Sequence, residues 1–298
     1  MDLRPDPGTP DAQAEGLPVG PRRAPTRIVL LDRGLESLPV FRLSDSSDGS
    51  AIVYAPEAGG RWRVLPTPGD RLPGTFDQDV YVELCRRYQE AGSPAEGVVS
   101  FTLHAFLRSI GRRADGRTYD QLRGALVRLE RTILESTAAY WSAKAGRVTD
   151  LRFTILSSVS IDRRRHVDKD QFPLFTTLSS SEPGDARVTL SPHLRANIGA
   201  GHVTMLIGPQ YFALSSPVAR RLYRLVEVAR SEGNVAWRLP LERLAECVPL
   251  TQRYPSHLSR VLQPAHEMLL SAGIVRGAEI RQHRRQWVVH YVLAARGK

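Results

Sequence analysis

Lysine is almost missing from this chain: Lys144, Lys169 and Lys298 are three of 41 basic residues, and the other 38 are arginines. Such an imbalance also tracks genome composition, so where the charge sits carries more than how much of it there is. Cysteine is nearly absent as well. Cys85 and Cys247 lie far apart, each among apolar residues at helical spacing, which excludes a disulfide framework or a cysteine-rich metal site and points to an intracellular protein. No apolar run approaches the roughly 18 residues that span a bilayer, and no basic-then-apolar signal opens the chain, so a cytoplasmic protein without membrane contact is expected. Phosphate-loop, H-E-x-x-H and G-x-S-x-G motifs are all lacking, as is a close histidine pair around a bulky apolar residue. The sequence thus argues against an enzyme, a metal and a cofactor. A nucleotidyl-transfer or nicking enzyme would need a carboxylate or histidine cluster that cannot be assembled from it.

What is present is 298 residues with 42% apolar side chains, enough for two ordinary domains. The net charge of +10 is unevenly spread. From Gln210 onward 14 Arg and Lys stand against six Glu, whereas the preceding 209 residues carry 27 against 25. A basic C-terminal part points to a polyanionic partner.

Residues 1–26 hold Pro5, Pro7, Pro10, Pro18, Pro21 and Pro25 with few large apolar side chains, the composition of a disordered tail. Order is expected from Arg27, with a strand pair at Ala51–Tyr54 and Arg61–Leu65. Helices follow from an Asp77 cap to Gly92, from a Ser100 cap to Gly111, and from Thr118 to Glu135. The period then changes to two. Strands at Tyr140–Ala143, Leu151–Ser158, Arg187–Leu190 and His202–Ile207 read as one ribbon interrupted by the basic loop Arg163–His166.

A second cycle opens at Ser215 or Ser216 with Pro217 at the first helical position. It continues through a helix begun by Pro240 and another from Ser256 to Ser271, and ends in a hairpin, Ile274–Ile280 and Gln286–Leu293, with Arg281–Arg285 at its tip. Three helices and a hairpin, twice, give an α+β fold of two tandem winged-helix domains behind the tail, divided as 27–209 and 210–298. In that fold the third helix enters a major groove and the hairpin reaches phosphates or a flanking groove.

The residues assigned to DNA follow from that geometry. On the last helix and the turn before it they are Arg253, Tyr254, Ser256, His257, Ser259, Arg260 and Gln263; Arg and Gln are the side chains that pair bidentately with guanine and adenine. On the hairpin tip they are Arg281, His283, Arg284 and Arg285, a cationic cluster that repels itself unless an anion screens it. In the first domain they are Arg117, in the turn before the third helix with Arg112 and Arg113, and Gln121 and Arg128 on that helix, whose outward face shows Asp120, Gly124, Arg128 and Arg131. That face either reads a second part of the DNA site or pairs with another copy of the chain. Pro264 inside the last helix removes an amide donor, which either kinks the helix near Arg260 or ends it early.

Two strings, SSPVARRLYRLVE at Ser215–Glu227 and LSRVLQPAHEML at Leu258–Leu269, resemble the plasmid replication initiators of the replication initiator protein A family. So do LPGTFDQDVYVEL at Leu72–Leu84 and GRTYDQLRGALVRLERTIL at Gly116–Leu134. The resemblance covers roughly residues 27–293. It implies tandem winged helices that bind double-stranded origin repeats (iterons), recruit the host initiator ATPase and replicative helicase, and exchange between monomer and dimer. The work would be done at the nucleoid or on a plasmid. A winged-helix transcriptional repressor or partition-type DNA-binding protein is the alternative within the same fold.

Overall fold

Two stretches of the chain run through the same order of elements. The computed structural model describes residues 28–43, 49–161, 185–250, 252 and 254–295. The expected tail and the loop Arg163–His166 lie outside these residues. An entry segment comprises β1 (Ile28–Asp32), α1 (Arg33–Glu36), β2 (Ile52–Tyr54) and β3 (Arg61–Leu65). The first unit follows with α2 (Thr75–Glu90), β4 (Val98–Thr102), α3 (Leu103–Ser109), α4 (Gly116–Arg131), β5 (Ile133–Ser142), β6 (Arg147–Phe153), β7 (Leu156–Ile161) and β8 (Asp185–Leu190). A link of α5 (Pro192–Gly199), β9 (Val203–Ile207) and α6 (Gly208–Ala213) leads to the second unit. That unit holds α7 (Pro217–Ser231), β10 (Ala236–Pro240), α8 (Leu241–Cys247), α9 (Pro255–Ser271), β11 (Val275–His283) and β12 (Gln286–Leu293).

The sheets make the repetition plain. β4-β8-β7 and β10-β12-β11 share one order, a short strand between the first two helices pairing with the far arm of a hairpin. Both units are winged helices, in tandem. The expected single ribbon is corrected: β5 and β6 extend β2-β3 into a four-stranded sheet, β7 and β8 form the first wing, and β9 pairs with β1. Alternation marks each strand but does not choose its partner, and α5 and α6 are too short to carry a helical period. Position 209/210, the expected division, falls inside α6.

Helix starts shift for local chemical reasons. Asp77 is not the cap of α2 but its third residue; one carboxylate oxygen accepts from the Gly74 amide at 2.7 Å while the other receives Arg128 of α4. Ser100 and Phe101 belong to β4, and Thr102 caps α3 by accepting from the Ala105 amide at 3.0 Å. Asp115 caps α4, and Ile133 to Glu135, expected as helix, are already strand. Ser216 and Pro217 open α7 as expected. α9 runs unbroken through Pro264, so the proline does not end it.

The largest departure concerns charge. Among the basic residues after Gln210, Arg220, Arg221 and Arg224 point into the molecule and pair with carboxylates of the N-terminal half. Arg220 pairs with Asp79. Arg224 is fully buried, donates to both Glu36 oxygens at 3.1–3.2 Å and to Gln78 at 3.0 Å, and lies 5.2 Å from the Phe41 ring centroid. Arg221 donates to the carbonyls of Glu36, Leu38 and Cys247 at 2.9–3.1 Å. Burial, and Arg224 beside it, bring the Arg221 pKa down to about 10 against the pull of Glu36. Part of the C-terminal charge excess is thus an internal clamp between the halves rather than a surface.

A second buried network fixes α1. The Asp32 carboxylate accepts from Tyr140, from Asn197 at 2.9 Å and from the Gly34 amide at 2.9 Å, capping the helix that carries Glu36. Burial outweighs those bonds and raises the Asp32 pKa to about 7. Between about pH 4 and pH 7 the native state therefore keeps a proton that the unfolded chain has released, so this group makes stability fall as pH rises through that window. Asp32→Asn is expected to remove that part of the slope, read as the difference between variant and parent urea midpoints across the window. An identical slope in the two proteins contradicts the assignment.

Candidate nucleic-acid interface

The second unit presents α9 and its wing on one edge. Leu258, Leu262, Ala265 and Leu269 of α9 are buried, which turns Ser256, His257, Arg260, Gln263 and Glu267 outward; Ser259 is half-buried at the margin. Tyr254, at the N-cap, is 70% exposed and meets His257 edge-on at 5.8 Å. Arg253 lies outside the described residues. The Gln263 amide donates to Glu267 at 2.9 Å, which holds it extended along the helix surface.

Inside the unit, His266 is buried and shares a 2.8 Å hydrogen bond with the Tyr291 hydroxyl, tying the helix to the wing. Burial pushes its pKa down to about 4, so it is neutral and structural at physiological pH. Sequence reasoning passed over His266, although its spacing of four from Leu262 sets it on the apolar stripe.

The wing is longer and its tip tighter than expected. Strand pairing continues to His283 opposite Gln286, leaving a two-residue turn of Arg284 and Arg285 instead of a five-residue tip. Arg284 has φ of 55°, a left-handed conformation that favours Gly or Asn. Pairing register puts Arg281 and His283 on one face of the hairpin and Gln282 and Trp287 on the other. Arg281 pairs with Glu279 yet stays largely exposed. No carboxylate among the described residues lies within ion-pair distance of Arg260, Arg284 or Arg285.

In the first unit Arg117 and Gln121 are exposed on α4, beside exposed Arg113. Arg128 is a correction: its guanidinium donates to buried Asp77 at 2.9–3.0 Å and joins α4 to α2, so it is withdrawn from the outward face. Arg123 and Arg131 are likewise held, by Asp120 and Asp70.

Among the described residues no group of three or more His, Cys, Asp or Glu side chains is gathered to hold a metal ion, and no helix is long and apolar enough to cross a membrane.

Comparison with known proteins bears on this geometry. The family described as Replication initiator protein A matches over residues 32–268. A protein of Wigglesworthia glossinidia brevipalpis whose name assigns it to replication is 32% identical over 106 residues, 34% of this chain and 38% of that relative's length. Two crystal structures of domains 2 and 3 of RctB superpose with TM-scores of 0.52 and 0.50 at 12% and 10% identity. They cover 86% and 88% of this chain and 95% and 97% of those structures, a likeness of fold that runs through both units.

Proposed function

This chain belongs to the replication initiator protein A family, and from that premise we propose that it binds double-stranded DNA at the repeated sites of a plasmid or secondary-replicon origin and starts replication there without catalysis. The observation that carries the reading is the α9 and wing edge, where Arg260, Arg284 and Arg285 stand exposed with no carboxylate among the described residues to neutralise them. In this reading residues 210–298 supply the principal contacts. Arg260 and Gln263 read base edges in the major groove, with Tyr254, Ser256, His257 and Ser259 beside them; Arg281, Arg284 and Arg285 neutralise phosphates, and His283 lies against the same backbone. Residues 27–209 add Arg117 and Gln121 as a second contact. Recruitment of a host ATPase and helicase, and exchange between monomer and dimer, belong to the same proposal, as does action on a plasmid or the nucleoid in the cytoplasm.

The test is titration of fluorescent duplexes from the DNA flanking the protein's own gene against shuffled duplexes of equal length, at several salt concentrations. Tighter binding to some flanking fragments, with a steep salt dependence, is expected. Equal affinity for native and shuffled duplexes contradicts the proposal, and nicking of supercoiled DNA by the purified protein with Mg²⁺ contradicts its non-catalytic part.

The strained turn adds a sharper expectation. Arg284→Gly relieves a left-handed residue, worth about 1 kcal/mol, and removes one phosphate contact. Thermal stability is therefore expected to rise while the slope of log K against log salt drops by about one. A variant that binds all DNA as tightly as the parent removes Arg284 from the interface.

A further inference from the structure

Trp287 stands apart from the other tryptophans. Trp62 is fully buried, Trp237 stacks on Tyr291 with centroids 5.5 Å apart, and Trp141 stacks on His202 at 3.8 Å. Trp287 has no aromatic ring against it among the described residues and is 37% exposed. It lies on the hairpin face that carries Val289 and Tyr291, both fully buried, one step further out. Tyr291 meets His266 in the C-terminal half of α9, so the hairpin face that carries Tyr291 is the one turned toward that helix. Trp287 and its cross-strand neighbour Gln282 thus continue the packed face beyond the core, on the side of the hairpin that faces α9.

A large side chain more than a third exposed, close in the chain to the two arginines of the turn, suits a surface that is both anionic and apolar at close range. Duplex DNA has this character, since deoxyribose carbons line the minor groove between the phosphates. Arg284 and Arg285, at the turn, stand three and two positions before Trp287. We propose that Trp287 anchors the wing by packing against the sugar wall of the groove flanking the one that α9 enters. The inference rests on the DNA-binding reading of this edge and adds to it a contact that does not depend on charge. An apolar contact releases no counterions, so its contribution survives high salt.

The experiment uses the full chain, its Trp287→Phe and Trp287→Ala variants, and a short duplex from the flanking DNA. Parent tryptophan fluorescence is expected to change on adding duplex, and Trp287→Phe is expected to bind while losing that change. Trp287→Ala is expected to weaken binding about tenfold with an unaltered salt slope. A fluorescence change retained in Trp287→Phe, or parental affinity in Trp287→Ala, overturns the anchor and leaves DNA binding standing. Absence of any duplex binding by the parent overturns the underlying reading and the anchor with it.

Discussion

Replacing Glu36 with alanine is expected to lower stability by about 3–5 kcal/mol, the range for removing one partner of a buried ion pair, and so to approach the whole stability of an ordinary domain. The cause is specific. Two guanidiniums, Arg221 and Arg224, converge on this one carboxylate in a site closed to water. Arg221 keeps three carbonyl acceptors, whereas Arg224 keeps Gln78 and the face of Phe41. Neither set supplies a negative charge. Urea unfolding at neutral pH measures the effect, and Glu36→Gln, which retains a polar acceptor, is expected to fall between variant and parent. Less than about 1 kcal/mol lost would mean the site is wetter than its burial indicates and that the halves are not clamped there.

Arg260→Ala is expected to weaken binding to origin DNA by about 1–3 kcal/mol, the value of one bidentate base contact, and to relax preference at one base position. Affinity for random DNA is expected to change little. Arg284→Ala is expected to act in the opposite manner, weakening all sequences alike and lowering the salt slope by about one. The contrast separates a base-reading side chain from a phosphate-neutralising one. Equal losses on specific and random DNA for Arg260→Ala would take it off the reading face.

The fold was legible in the sequence where local signals coincide. Ser216 with Pro217, the stripe of Leu258, Leu262, Ala265 and Leu269, and the alternation of Val289, Tyr291 and Leu293 each define an element and its buried side, and the structure follows them, whereas Trp287, expected on the same face, is exposed. Strand partners were not legible, because β5 and β6 look alike whether they extend a wing or join β2-β3. Charge was read least well. Arg220, Arg221 and Arg224 on α7 contribute to a basic count but bond to Asp79 and Glu36, residues more than 140 positions away. Arg128 gave the same false signal, since its partner Asp77 sits on another helix. A guanidinium facing solvent and one facing a distant carboxylate are identical in sequence; only the packing of α7 against the N-terminal half separates them. The exposure of Arg260, Arg284 and Arg285 is legible because they lie opposite an apolar stripe or at a projecting turn.

Hydroxyl-radical footprinting of the DNA around the protein's own gene, with parent and Arg260→Ala side by side, tests the account most directly. Protection is predicted at several similar sites on one helical face, spaced by whole turns of the duplex, and is predicted to fade at those sites in the variant. A lone palindrome over a promoter would favour a repressor instead, and protection that ignores both sequence and the loss of Arg260 would contradict the assignment of α9 as the element that reads the origin.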